Sequence, residues 1–367
     1  MAGPLAGVRV VELLGIGPGP FGGMMLADMG ADVVTVGRNT PGIFGAADTS
    51  KPATNPMERS KRSVVLDFKN ADDLATLKTM VANTDVVIDP FRPGVCERLG
   101  IGPAELCALN PRLIFARMTG WGQIGPWALR AGHDINYIAL SGALHSFGFE
   151  GQPPTFPINV LGDFAGGGQL LAMGVCAALV ERATSGLGQV IDVAMVDGAS
   201  QLLGPFFAPY ALGTYGDRGT NMLDGGAHFY NVYETLDGRY LSVGGLEPQF
   251  YAELMQGLGI DPPMPQWDQS QWPSLKVEVA KIVASKTRYE WCEIFANSDA
   301  CVAPVLAPAE VAADPHNADR QMIATVNGVP QPQPAPRFSR TPTTAGVPEH
   351  RGATAAADVL SDWAKSD

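Results

Sequence analysis

Cysteine is scarce in this sequence. The five present, Cys96, Cys107, Cys176, Cys292 and Cys301, are odd in number, widely spaced and without a C-x-x-C pair. They predict reduced thiols and argue against a disulfide framework or a cysteine zinc site. Histidine is equally sparse: His145, His228, His316 and His350 make no metal-ligand spacing with one another or with a cysteine, which leaves metal catalysis without support. Long apolar runs are missing too. The longest, residues 170–180, has 11 residues, whereas a bilayer crossing needs about 20. No basic region precedes the first apolar stretch, MAGPLAGVRVVELLGIG, which predicts a strand rather than a signal peptide and a soluble, cytoplasmic protein. Positive charge is in deficit, with 25 Lys+Arg against 37 Asp+Glu and a net charge of −12. Without a dense basic run there is no electrostatic footprint for nucleic acid. Neither a G-x-S-x-G elbow nor a phosphate-binding P-loop occurs.

What the sequence does have is length and apolar content. Its 367 residues, 46% of them apolar, leave room for two domains on a prior of roughly 150 residues each. Glycine (43) and proline (30) follow no fixed period and therefore predict turns and loop floors. Thirteen methionines read as core filler. Charge is uneven: residues 1–140 carry 13 basic and 13 acidic side chains, residues 141–367 carry 12 and 24. An anionic ligand is best tolerated in the first part.

Apolar, β-branched runs at 7–14, 31–38, 63–68, 85–90, 112–118 and 188–196 alternate with helical patterns at 21–30, 70–82 and 103–109. Strands alternating with helices imply an α/β, Rossmann-like large domain with a mostly parallel sheet. Two longer helices are predicted over 133–148 and 163–184. After Gly219 the texture changes. Asp237-Gly238 between two aromatic, β-branched runs predicts a hairpin, and Glu247 with Pro248 opens a helix that Gly259 ends. The resulting expectation is a large domain over 1–224, a smaller α+β domain over 225–325, and a C-terminal segment over 326–367 that returns to the large domain. Within that segment, GVPQPQPAPRFSRTP reads as an extended connection and 355–365 as a final helix.

Several constellations could carry chemistry. Gly17-x-Gly19-x-x-Gly22 sits between a strand and a helix, as in a dinucleotide fingerprint. Pro18 and Pro20, however, remove two backbone donors, and the next strand ends in Arg38 rather than a ribose-binding acid. A tight structural loop is the better reading. Arg38, Lys61, Arg62, Lys69, Arg92 and Arg98 fall near predicted strand ends, where a parallel sheet collects phosphorylated ligands such as the ADP end of coenzyme A. His133, in AGHDINYIALSGAL, lies at a helix start beside free N–H groups and is a candidate base with an adjoining anion site. Asp163, in NVLGDFAGGGQLL, also falls at a helix start, where a simple N-cap is the competing role. Glu247 could likewise be no more than favourable first-turn charge.

These strings, together with KRSVVLDFK, RPGV, GLGQVIDVAMVDG, NMLDGG, VGGLEPQFY and NSDACVAPVL, resemble the alpha-methylacyl-CoA racemase branch of the family III CoA-transferases, in its bacterial, mycobacterial-type form, from about residue 3 to 340. The resemblance implies an isomerase that epimerises (R)- and (S)-2-methylacyl-CoA thioesters in lipid metabolism. It also implies an interlocked homodimer with no metal and no cofactor beyond the coenzyme A of the substrate. It assigns catalysis to His133 and Asp163, with Glu247 of the other subunit bonding the histidine. Coenzyme A contacts fall on Arg38, Leu66, Asp67, Phe68, Lys69 and Arg92, and on Gly132, Asp134, Ile135, Asn136 and Tyr137. A family III transferase using Asp163 as nucleophile, and a silent acyl-CoA binder, are the alternatives. His133 with Glu247 favours the racemase, because a transferase needs no second base. The sequence departs from the family at 48–60, which is longer, and at HFYN (228–231), which bears on acyl-chain preference.

Overall fold

The computed structural model describes residues 3–38 and 50–365. Six strands form one parallel sheet: β1 (Arg9–Leu13), β2 (Asp32–Gly37), β3 (Lys61–Val65), β4 (Val86–Asp89), β5 (Ile114–Thr119) and β6 (Val190–Ala194). Their order is β3-β2-β1-β4-β5-β6. This is the doubly wound arrangement that the alternating strand and helix patterns imply. Val10, Val11, Val33, Val34, Val36, Val86 and Val87 are fully buried because helices cover both faces, which explains why these strands read as continuous apolar runs rather than alternating ones. On one face Leu26, Leu171 and Val175 pack on Val10, Val33 and Ile88. On the other, Leu77, Met80, Val359 and Trp363 pack on Val11, Val34 and Val87. The strand order reverses between β1 and β4, so the loops after these two strands part and open a crevice at their carboxyl ends.

The first unit comprises residues 1–141, 157–202 and 315–367, the second residues 142–156 and 203–314. The division falls at 202/203 and 314/315 rather than 224/225 and 325/326. The reason for the later boundary is visible in Arg59, whose guanidinium is bound by Asp28, by Gln331 Oε1 at 3.0 Å and by the Pro332 carbonyl at 2.7 Å. That contact ties the chain after 315 to the large unit. The stretch expected as an extended connection is in part a hairpin, β10 (Ile323–Val326) with β11 (Val329–Pro332). Asn327 and Gly328, at φ 51° and 79°, supply the left-handed turn it needs.

The second unit has its own antiparallel sheet, β7 (Tyr230–Glu234), β8 (Tyr240–Gly244) and β9 (Val302–Pro304), with the expected hairpin turn at Asp237-Gly238. Its core gathers Phe229, Tyr251, Leu254, Trp272, Val279 and Trp291. The predicted helix over 133–148 is shorter, Asp134–Leu140, because Gly142 turns left-handed at φ 87° and only a 3₁₀ turn, Ala143–Ser146, follows. The helix expected at 163–184 starts earlier, as a π-helix over Val160–Gln169 that continues as Leu170–Ser185. Together they span 26 residues, long and apolar enough to cross a membrane by length and composition, which corrects the expectation that no such segment exists. Leu171, Ala172, Val175 and Ala178 are buried within the sheet's hydrophobic core, as in a core helix.

His228 shows how closely the second core is packed. The ring is fully buried, and its Nε2 lies 2.8 Å from the Tyr251 hydroxyl, which itself donates to the Met264 carbonyl at 2.9 Å. The imidazole therefore donates through Nε2, and Nδ1 is left without a partner. Burial drives its pKa down to about 4. Since the unfolded ring titrates near 6.5, the unfolded chain binds a proton that the folded one refuses. Stability is full above that value and declines as pH falls toward 4. Urea unfolding followed by tryptophan fluorescence should lose midpoint between about pH 7 and about pH 4.5, and His228→Gln should lose less of it. An equal loss in both proteins would remove His228 as the source.

Candidate active site

The site is built from three segments of the first unit. Two of them meet through one carboxylate. Asp134, first residue of its helix and 5% exposed, accepts through Oδ2 from the backbone N–H of Gly162 at 2.6 Å and of Asp163 at 2.7 Å. Its Oδ1 has no partner. Gly162 leaves room for this contact: a Cβ there would lie 2.6 Å from Oδ2. The helix that begins after His133 is thereby fastened to the π-helix that carries Asp163. His133 occupies the N-cap, with its N–H donating to Asn136 Oδ1 at 3.0 Å and its carbonyl accepting from the Asn136 and Tyr137 N–H groups, and its side chain is exposed.

Asp163 is half-buried. Burial pushes its carboxyl above the usual carboxylate range, and the neighbouring Asp134 pushes it further, while a hydrogen bond from Asn159 Nδ2 at 2.9 Å and the nearby His133 pull it down. Asp163 lies in the first turn of this π-helix, a rare geometry that is frequent at functional sites. The third segment is the loop after β1: a Cβ on Gly17 would stand 3.2 Å from Asp163 Oδ2. Gly17, at φ 68°, opens the helix Pro18–Asp28, and the glycine fingerprint thus serves as a tight turn against Asp163. Asn159, which the sequence pattern does not single out, stands four residues before Asp163 and is its side-chain donor.

Tyr137 is buried beside these groups. Its hydroxyl donates to the Gly132 carbonyl and its ring meets Trp121 edge-on at 4.7 Å between centroids. Burial, then the charge of Asp163, push it up to about 12, while Arg92 opposes the shift and Asp134 adds to it. Arg92 is exposed on the loop after β4. Ile135 and Asn136 are exposed on the first turn.

A separate cavity of about 260 Å³ lies at the carboxyl ends of β1 to β4, lined by Arg38, Asp67, Phe68 and Lys69 together with Leu14 and Phe91. Leu66 is not part of its wall, because its side chain is 6% exposed in the core. The cationic rim is smaller than expected. Lys61 and Arg62 begin β3 instead of ending it: Lys61 is buried against Glu12, and Arg62 pairs with Asp32. Glu247 is the exposed N-cap residue of the helix Pro248–Leu258 in the second unit. A larger depression of about 610 Å³ lies among Arg9, Asp32, Asp85 and Arg182, near the amino ends of β1 and β2, where Arg182 and Asp85 pair at 2.7 Å.

Asn159 gives the site a direct test. Removing its N–H donor takes away a group that favours the charged carboxylate, so in Asn159→Ala the Asp163 carboxyl should titrate higher than in the parent. Infrared difference titration of the carboxyl band, with Asp163→Asn to assign it, reads the shift; an unchanged or lowered value would contradict the assigned contact.

The description CoA-transferase family III matches residues 5–351. The chain is 46% identical over 342 residues to the alpha-methylacyl-CoA racemases of Mus musculus and of Homo sapiens, covering 92% of this chain and 87% of either relative. Among solved structures, a CAIB/BAIF family protein from Brucella suis superposes with a TM-score of 0.83 at 25% identity, over 99% of this chain and 100% of that one. The chain belongs to CoA-transferase family III.

Proposed function

We propose that this enzyme interconverts the (R) and (S) epimers of 2-methylacyl-CoA thioesters, with His133 and Asp163 as the two proton-transfer groups. The observation that carries the reading is that Asp134, the residue after His133, accepts from the N–H groups of Gly162 and Asp163 and so joins the segments of His133 and Asp163, 30 residues apart in sequence. Epimerisation needs one base and one conjugate acid on opposite faces of C2. The base takes the C2 proton, the C–H electron pair becomes the C1=C2 bond and the carbonyl π pair moves onto the thioester oxygen, giving an enolate. The acid on the other face then returns a proton to C2, and the pair of electrons re-forms the thioester. Each residue serves as base for one epimer and as acid for the other.

The raised pKa of Asp163 suits this exchange, since its protonated form is accessible nearer neutrality than that of an ordinary aspartate. The N–H of Asp134, which has no intrahelical acceptor in the first turn, is a suitable donor to the enolate oxygen. The chemistry calls for no metal and no separate cofactor, because coenzyme A enters with the substrate. Its nucleotide end fits the cavity of Arg38, Asp67, Phe68 and Lys69, where the two cations can meet phosphate. Arg92, Gly132 and the first turn, Asp134 to Tyr137, would line the path toward His133. Five unpaired thiols suit a reducing compartment, which supports a cytoplasmic location.

His133→Ala and Asp163→Ala should each lower epimerisation by about 10² or more, as losing an acid-base group does. Incubation of either epimer in deuterated water, with the C2 label and the epimer ratio both measured, decides this; near-normal turnover in either variant removes that residue.

We assign Glu247 to a neighbouring site. In an interlocked homodimer, His133 of one subunit is oriented by Glu247 of the partner subunit, which holds the imidazole tautomer. Refolded mixtures of His133→Ala and Glu247→Ala chains should then recover activity toward about a quarter of wild type, since half the dimers are mixed and each has one intact site. Mixtures as inactive as the separate variants, with exchange verified by mass, would place the pair within one subunit.

A further inference from the structure

Lys61 is out of place for a cation in a phosphate-binding family. Its ammonium is 1% exposed and donates to Glu12 Oε2 at 2.7 Å and to the Pro20 carbonyl at 2.9 Å. Glu12, on the central strand β1, is fully buried, and its second oxygen, Oε1, has no partner. A buried ion pair with half of its carboxylate unsatisfied is a poor source of stability, because desolvation offsets most of the attraction. What the pair does accomplish is placement. Pro20 lies in the first turn of the helix Pro18–Asp28, and that helix rests directly on the pair: a Cβ on Gly23 would come within 1.8 Å of Glu12 Oε2.

The opposite side of the same turn faces the π-helix. Gly17 stands against the Asp163 carboxylate, and the Phe21 ring packs on Phe164 at 4.8 Å between centroids. Glu12, Lys61, the Pro20 carbonyl, the Gly17 turn and Asp163 thus form one contiguous stack from the centre of the sheet to the site. His133 is anchored by the Asn136 side chain and the backbone of its own helix, and its tie to the Asp163 segment runs through the Asp134 carboxylate rather than through the Gly17 turn.

We infer that Lys61, held by Glu12, is a positioning residue for Asp163: by tethering the Pro20 carbonyl it fixes the turn that packs on residues 163 and 164, and so governs proton transfer on the Asp163 face of the substrate alone. The inference rests on the two-base reading. Its signature is one-sided. Loosening the turn displaces Asp163 and leaves His133 able to remove and return a proton on its own face.

The test compares wild type, Asp163→Asn, Lys61→Met and Glu12→Gln, each given the separate 2-methylacyl-CoA epimers in deuterated water, with C2 deuterium and epimer composition followed at low conversion. Asp163→Asn checks the underlying reading: it should abolish exchange from one epimer and keep exchange, without inversion, from the other. If it suppresses both or neither, the two-base reading fails. With that established, Lys61→Met should reproduce the same asymmetry, about 10²-fold on the Asp163 face, as expected for a displacement near 1 Å, and within about twofold on the His133 face. Glu12→Gln keeps an acceptor for Lys61 and should show the same bias in weaker form; it stands as the test if Lys61→Met does not fold. Equal losses on both faces, or no loss in a folded variant, would overturn the role assigned to Lys61.

Discussion

Everything at this site depends on three helical segments approaching more closely than side chains allow. Gly198 has no room for a Cβ, which would stand 1.9 Å from the Gly166 carbonyl oxygen. Gly168 is pressed in the same way on the Pro18 carbonyl, at 2.6 Å, and Gly22 on the Gly168 carbonyl, at 2.8 Å. Close backbone packing of this kind is stiff, because a displaced backbone has no rotamer into which to relax. The π-helix is therefore wedged between the first helix and the helix Met195–Leu202, and Asp163 inherits its position from that wedge.

On this steric frame the electrostatics are deliberately unfavourable. Burial of Asp163, and after it the nearby Asp134 carboxylate, raise the Asp163 pKa, so that its charged form costs stability as pH rises through the shifted range. The cost is limited by donors: two backbone N–H groups on Asp134 and the Asn159 amide on Asp163. A carboxyl whose pKa lies above the usual range takes up a proton more readily than an ordinary aspartate, which suits the proton-transfer role proposed for Asp163. The same frame explains why the turn at Gly17 lacks the donors of a pyrophosphate loop. Two prolines start the helix there, and the turn's function is to wall a carboxylate.

The sequence by itself determined the doubly wound sheet, because strands buried on both faces must be continuous apolar runs and parallel neighbours need crossover helices between them. It also marked His133 and Asp163 as candidate reacting groups, each in a glycine-flanked helix start, and determined the helix that follows Glu247, where Pro248 and Gly259 mark both ends locally. These signals are local in the chain. The tertiary structure alone decided the rest: that Asp134 joins the segments of His133 and Asp163, that Asn159 donates to Asp163, that Lys61 is buried rather than solvated on a rim, that Leu66 is core, and that Arg59 ties Gln331 and Pro332 to the large unit. Each of these depends on which residue a distant segment places opposite, and a side chain's charge, burial and partners are set by that neighbour rather than by its own surroundings in sequence.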